Sequence, residues 1–239
     1  MEFNGFIGEF FPIWKSSQLD LGKVIRWSPY LVDGHGKEMR KQTTLEHEHS
    51  FSLFAGTAAQ MLDPFIFKKS GKHLDLLMLE YGFKWHDHAE GLKGRDIIAP
   101  DKKDEDDVEE YVIFMEHIKN MPDFVKEKYE IAFLLQFALN NNVLFTKRAE
   151  DVMSMIRCDL FYESLVFTAL EKLEYLFYPI EMREKHKYLL AWVIKRQLPG
   201  YQKFAKILPG FREILFTEGL EEQLLNYLKE NKNIPVQGH

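Results

Sequence analysis

The sequence predicts an all-α protein, and three observations lead to this prediction. Apolar residues recur at the three- and four-residue spacing of a helix face through most of the chain. No alternation of apolar and polar residues, which is typical of a strand, extends beyond a few positions. The 239 residues are 46% hydrophobic and 28% charged, an ordinary globular balance with ample material for a core.

The predicted helices follow one another along the chain. In the first, from His49 to Leu62, the apolar side chains line one face. The second, from Leu74 to Trp85, is apolar on all sides, which is typical of a helix buried within a bundle. The third begins with an acidic run and stops before Pro122. Further helices are predicted at Phe124–Leu139, Ala149–Phe177, Arg183–Leu198 and Glu218–Lys229.

Composition narrows the class of protein. The chain has no run of about 18 uncharged apolar residues, so we expect no transmembrane helix and no membrane partner. The apolar N-terminus carries Glu2 and Glu9 and lacks a basic segment, unlike a signal peptide. A single cysteine, Cys158, excludes an internal disulfide and favours a cytoplasmic location. The net charge of −6 argues against a broad nucleic-acid-binding surface.

Ionisable residues crowd the end of the apolar second helix. His86, Asp87, His88 and Glu90 fall within five positions, and burying such groups without compensation is costly. If the helix continues, His86 and Asp87 lie about 100° apart around its axis, and both can reach one cation. Glu90 follows His86 by one turn on the same face. The cluster therefore predicts a metal site that needs further ligands from elsewhere.

Two other segments offer such ligands. His47 and His49 stand at the start of the first helix, and Asp159 lies in the middle of an apolar predicted helix. A buried carboxylate needs a partner, because an unpaired one is destabilising by several kcal/mol. One histidine, the His86-Asp87 pair and Asp159 would form a set of four ligands from three helices.

Five short elements in this order resemble the HD superfamily of metal-dependent phosphohydrolases, most closely its bacterial 5′-deoxynucleotidases of the YfbR type. The resemblance covers roughly residues 15 to 175. The elements are Arg26-Trp27, Glu48-His49-Ser50, His86-Asp87 with Glu90, Gly94 with Asp96, and Asp159.

The resemblance implies a single divalent ion (Mn, Co, Mg, Zn or Fe) and names its ligands. They are His49, His86, Asp87 and Asp159. The family register favours His49 over His47 and His86 over His88, and the two other histidines are expected to support the ligands or to face solvent.

The resemblance also implies catalytic and substrate-binding residues. Glu90 and Asp96 are the candidates for exchanging protons with the nucleophile or the leaving alcohol, and we prefer Glu90 because its spacing from His86 is intact. Arg26 is expected to grip phosphate oxygens. Trp27 is expected to lie against the sugar and to favour deoxyribose over ribose.

The fold and function that the resemblance implies are specific. We expect a single domain over residues 1–239, with an HD-type helical bundle at about 15–175 and additional C-terminal helices at about 180–232. The predicted reaction is hydrolysis of deoxynucleoside 5′-monophosphates to deoxynucleosides and phosphate. A dNTP triphosphohydrolase, and a non-catalytic nucleotide sensor that retains the metal site, are the alternatives. The expected partner is the nucleotide substrate, and a homodimer is left open.

Overall fold

The computed structural model of the chain describes residues 21–26, 41–94, 102–139, 145–184 and 187–231. The fold is all-α, as predicted. A π-helical turn at Phe211–Leu215 stands between the last two helices. In chain order the helices are α1 (Thr44–Ser70), α2 (Leu76–Trp85), α3 (His88–Lys93), α4 (Asp104–His117), α5 (Asp123–Leu134), α6 (Lys147–Asp159), α7 (Phe161–Glu174), α8 (Phe177–Glu181), α9 (Lys187–Ile207) and α10 (Glu218–Glu230).

Helix α1 begins five residues before the predicted start at His49. A reciprocal cap explains this start: the backbone N–H of Thr43 donates to Glu46 Oε2 at 2.9 Å, and the backbone N–H of Glu46 donates to Thr43 Oγ1 at 3.1 Å. This is the capping box that a Thr followed three residues later by Glu favours. The earlier start places His47 inside the helix rather than before it.

Two helices continue through prolines, beyond their predicted ends. Helix α1 contains Pro64 and helix α9 contains Pro199, whereas the predicted ends were Leu62 and Leu198. A proline within a helix removes one backbone hydrogen bond and destabilises the helix by about 3 kcal/mol. Apolar burial offsets this loss, since large side chains are buried before and after each proline. They are Leu62, Ile66, Leu198 and Tyr201.

The long helix predicted from Ala149 to Phe177 is three helices in the structure. The first break is at Leu160, where φ is −123° and ψ is 31°, between α6 and α7. The predicted end of α5 at Leu139 is also too late, since that helix ends at Leu134. No proline or glycine marks the break at Leu160, so the local sequence carries no signal for it.

A two-residue antiparallel ribbon precedes α1. Strand β1 (Ile25–Arg26) pairs with β2 (Gln42–Thr43), with Ile25 opposite Thr43 and Arg26 opposite Gln42. The backbone N–H of Thr44 also donates to the Val24 carbonyl at 3.0 Å. The ribbon thus holds Arg26 beside the N-terminus of α1.

The described chain divides into two compact units that alternate along the sequence. The first unit contains residues 21–26, 41–53 and 75–164, and the second contains residues 54–74 and those after 164. Helices α1 and α7 each contribute residues to both units. This division differs from the expected boundary near residues 175–180, and the single-domain assignment stays a prediction.

In the first unit, α2 packs against α5, and α3 packs against α4. Lys93 of α3 strengthens the second pairing, since its Nζ lies 2.7 Å from Glu109 Oε2 of α4. Lys102, just before α4, pairs with Glu110 of the same helix at 2.8 Å. In the second unit, α9 packs against α8, the π-helical turn and α10. Within the described ranges, no helix is both long and apolar enough to cross a lipid bilayer.

Replacing Gly210 with Ala should destabilise the protein by about 1–3 kcal/mol. Gly210 has φ of +81°, and an added Cβ would lie 2.7 Å from the Phe65 ring. The matched control is Gly56→Ala, since Gly56 lies within α1 and a Cβ there would meet nothing within 4 Å. That control should stabilise the protein by about 0.5–1 kcal/mol. Urea unfolding measures the free energy of unfolding of both variants. Equal effects of the two substitutions would contradict the assignment of strain to Gly210.

Candidate metal centre

Three pieces of chain bring the charged residues of the site together. The ribbon supplies Arg26, the first turn of α1 supplies His47, and the junction between α2 and α3 supplies His86 and Asp87. Helix α2 ends at Trp85, as predicted, and does not continue through Glu90, since Asp87 at this junction has φ of −94° and ψ of 4°. Helix α3 then begins at His88, and the backbone N–H of Glu90 donates to the Asp87 carbonyl at 2.9 Å.

One oxygen of Asp87 is the centre of the cluster. His47 Nε2 lies 3.3 Å and His86 Nε2 lies 3.2 Å from Asp87 Oδ2, and Arg26 Nη1 donates to the same oxygen at 2.8 Å. One ligand atom from each of His47, His86 and Asp87 lies within 4.8 Å of the others. The two histidines are 2% exposed and Asp87 is 8% exposed, so this group lies in the interior.

Hydrogen bonding fixes the orientation of His86. Its Nδ1 lies 3.0 Å from the Phe83 carbonyl, which can only accept, so Nδ1 is the protonated nitrogen. The other ring nitrogen, Nε2, faces Asp87 and is the one that could bind a metal ion. The Gln136 amide donates to the His86 carbonyl at 3.3 Å. Such supporting bonds commonly orient imidazoles that bind metals.

An aromatic side chain packs against both imidazoles. The Phe51 ring is parallel to the His47 ring at 5.9 Å between centroids and meets the His86 ring edge-on at 5.0 Å. Phe51 is fully buried and follows His47 by one turn of α1. The apolar wall limits the movement of the rings and keeps water away from one side of the cluster.

The charges around Asp87 favour its ionised form. Burial alone would raise the pKa of Asp87, but the neighbouring charges of His86 and Arg26 and hydrogen bonds from His47 and His86 lower this pKa well below its usual value. Asp87 is therefore a carboxylate at neutral pH. Burial raises the pKa of Glu48 well above its usual value, and the charge of Asp87 raises it further.

The group of His47, His86 and Asp87 could hold a metal ion. Two imidazole nitrogens and one carboxylate oxygen suit divalent transition metals, and three protein ligands leave positions open for water or substrate. The site also fits a cation on electrostatic grounds. Without an ion the two imidazoles contact the Asp87 carboxylate, and a bound cation would take the place of the protons between them, since metal ligands must be deprotonated.

Two of the predicted ligands are elsewhere. His49 is exposed, and the structure groups His47 with His86 and Asp87 instead. Asp159 is the last residue of α6 and is exposed, so it is not the buried carboxylate that an unbroken helix implied. The neighbouring Cys158 is exposed as well. Of the predicted ligands, His86 and Asp87 therefore belong to the group that could hold an ion, with His47 in place of His49 and without Asp159.

The other predicted site residues fall into two groups. Arg26 and Glu90 lie at the centre: Glu90 is 6% exposed, and its Oε2 lies 3.9 Å from Arg26 Nη1. Trp27 and Asp96 lie outside the described residues. His88 is buried, but its ring packs beside Trp85 and His117, at centroid distances of 4.5 and 5.0 Å.

The sequence predicted no role for Glu48. Glu48 is 6% exposed and lies within electrostatic reach of Asp87. The capping box of Thr43 and Glu46 is the sequence signal that could have moved the helix start and turned both His47 and Glu48 inward.

Comparisons with protein-family models, curated proteins and solved structures find nothing that matches this chain.

Proposed function

We propose that this protein is a divalent-metal-dependent phosphohydrolase that acts on nucleotides, with deoxynucleoside 5′-monophosphates as its substrates. The observation that carries the proposal is the buried convergence of His47, His86 and Asp87, with Arg26 and Glu90 beside it. The order of motifs that resembles the HD phosphohydrolases supports the choice of reaction. The choice of deoxyribose substrates rests on the Arg26-Trp27 pair of that resemblance.

In this proposal His47, His86 and Asp87 hold the ion. When bound, a divalent ion lowers the pKa of a coordinated water and offsets charge on phosphoryl oxygens. The ionised state of Asp87 suits this role, because metal ligands must be deprotonated. The contact of His86 Nδ1 with the Phe83 carbonyl leaves Nε2 as the nitrogen for the ion.

Arg26 has a double role in the proposal. Its Nη1 donates to Asp87, and a guanidinium carries five N–H donors in all. Arginine binds phosphate oxygens well in a bidentate manner, and Arg26 lies beside the three proposed ligands. Arg26 thus orients a metal ligand and attracts the substrate phosphate with one side chain.

Glu90 is the proposed acid/base. Its carboxylate is buried and close to the Arg26 guanidinium. From there it can take a proton from the attacking water and return one to the leaving 5′-oxygen of the sugar. The bond that breaks is that between the phosphorus and this oxygen, and the products are the nucleoside and inorganic phosphate.

A phosphate-release panel tests the proposal. Purified, metal-stripped protein is supplied in turn with Mn, Co, Mg and Zn and is given dNMPs, NMPs and dNTPs. Release of inorganic phosphate from dNMPs supports the proposal. Release of tripolyphosphate from dNTPs would assign the site to triphosphate hydrolysis, and binding of nucleotides without turnover would make the protein a sensor.

The preference for deoxyribose is a separate expected outcome. We expect kcat/KM for dAMP to exceed that for AMP by roughly 5- to 150-fold, because a 2′-hydroxyl pressed against an indole loses water without gaining a partner, at about 1–3 kcal/mol. Trp27→Ala should narrow this ratio, mainly by improving hydrolysis of AMP. Equal rates on dAMP and AMP in the unaltered protein would reject the role of Trp27.

A further inference from the structure

The side chain of Gln136 bridges two helix ends beside the metal centre. Gln136 lies just after the end of α5, and its Nε2 donates to the His86 carbonyl at 3.3 Å and to the Phe133 carbonyl at 3.1 Å. Carbonyl oxygens can only accept, so the amide nitrogen, which carries two N–H groups, is the atom that faces both. One side chain therefore ties the end of α5 to the junction between α2 and α3.

The His86 carbonyl lies where its usual helical partner has turned away. In a continuous helix this carbonyl would accept a hydrogen bond from the backbone N–H of Glu90, four residues later. At the junction, that N–H donates to the Asp87 carbonyl at 2.9 Å instead. The Gln136 amide supplies a donor to the His86 carbonyl in its place.

The end of α5 shows the same change. The backbone N–H of Phe137 donates to the Leu134 carbonyl at 3.1 Å, rather than to the Phe133 carbonyl that a continuing helix would pair with it. The second N–H of Gln136 reaches the Phe133 carbonyl. Carbonyls at helix ends need partners from outside the helix, and here one amide group serves two helices at once.

The bond to the His86 carbonyl acts on the metal ligands through the backbone. This carbonyl belongs to the peptide group that joins His86 to Asp87, and a peptide group is planar. Holding the carbonyl therefore fixes the orientation of the backbone that leads into Asp87, where φ is −94° and ψ is 4°. The His86 ring is held separately, since its Nδ1 lies 3.0 Å from the Phe83 carbonyl. The ring and the peptide group that follows it thus have separate anchors.

We propose that Gln136 is a positioning residue of the metal centre: its bond to the His86 carbonyl holds the junction in the conformation that places His86 Nε2 3.2 Å from Asp87 Oδ2. This inference rests on the proposed metal site. In this role Gln136 does not coordinate the ion but acts through the backbone of two ligands. Because an ion needs its ligand atoms at defined positions, loosening the junction should weaken ion binding even where the fold persists.

Calorimetric titration of the metal-stripped full chain with Mn²⁺ tests the inference. Gln136→Met keeps a long, unbranched side chain and removes both N–H donors. We expect Mn²⁺ affinity to fall by about 10- to 100-fold, the loss typical of removing an outer partner of a metal site. Gln136→Asn, whose amide is shorter by one methylene group, should lose affinity as well, and it serves as the test if Gln136→Met does not fold.

A purely structural role would lower the melting temperature without changing ion affinity. The control is Tyr201→Phe, which removes a hydrogen bond from a buried side chain to the Lys172 carbonyl at 2.8 Å in the second unit. Without metal, both variants should melt at a lower temperature than the unaltered protein, but only Gln136→Met should bind Mn²⁺ more weakly. The visible absorption of bound Co²⁺ reports the arrangement of its ligands, and it should change in Gln136→Met alone.

The outcomes are distinguishable. Failure of the unaltered protein to bind Mn²⁺ or Co²⁺ would overturn the metal site and the proposed function together. Unchanged Mn²⁺ affinity in Gln136→Met would overturn the role of Gln136 alone. An equal loss of affinity in Tyr201→Phe would assign the effect to general destabilisation and would overturn that role as well.

Discussion

Replacing His47 with Ala should remove the divalent ion from the protein, whereas replacing His49 with Ala should leave it in place. The two histidines are two residues apart on α1, but His47 is 2% exposed and lies 3.3 Å from Asp87 Oδ2, while His49 is exposed. Loss of one of three protein ligands should reduce the ion content from about one per chain to nearly none. Elemental analysis after dialysis measures this content, and phosphate release from dAMP should fall with it.

The same experiment distinguishes the ligands grouped in the structure from those that the family resemblance implies. The first set is His47, His86 and Asp87, and the second is His49, His86, Asp87 and Asp159. Asp159→Ala is a second control and should keep the ion, because Asp159 is exposed at the end of α6. His86→Ala should lose the ion under either set. If His49→Ala and Asp159→Ala lost the ion and His47→Ala kept it, the ligands expected from the family register would be correct and the grouping around His47 would not.

Replacing Glu90 with Gln should leave metal binding intact and reduce kcat by about 10²- to 10⁴-fold, the contribution typical of positioned proton transfer. Glu90 is not among the three converging ligands, so its neutral amide should not release the ion. Phosphate release at saturating dAMP measures kcat, and calorimetric titration with Mn²⁺ checks the metal.

A matched control for Glu90→Gln is Glu80→Gln. Glu80 is an exposed residue of α2 that pairs with Lys84, so its replacement should leave kcat unchanged. A decrease in kcat of less than about threefold in Glu90→Gln would make Glu90 structural, and Asp96 would then be the candidate for proton transfer.

Helix content was predictable from the sequence because helical spacing of apolar residues persists over many turns. Helix ends were less predictable, since they depend on interactions that such spacing does not report. Two helices extend past their predicted ends at Leu62 and Leu198, because burial on both sides of Pro64 and of Pro199 outweighs one lost hydrogen bond. The break at Leu160 has no local signal.

The residues of the site were predictable in part. The errors in that prediction follow from wrongly placed helix ends. His86, Asp87, Glu90 and Arg26 lie together as expected, because their clustering follows from local sequence and motif order. The choice between His47 and His49 depended on where α1 begins, which the capping box sets. Asp159 seemed buried only because the helix was assumed to continue past Leu160.

The alternation of the two units along the chain has a consequence for how the protein could be divided. Residues 54–74 lie between two segments of the first unit, yet they group with the residues after 164. A truncation at residue 164 would separate residues 54–74 from the residues after 164 with which they group, and a proteolytic fragment beginning at residue 165 would lack residues 54–74. Neither unit can therefore be expressed, exchanged with another protein or lost in evolution as one uninterrupted piece of the gene.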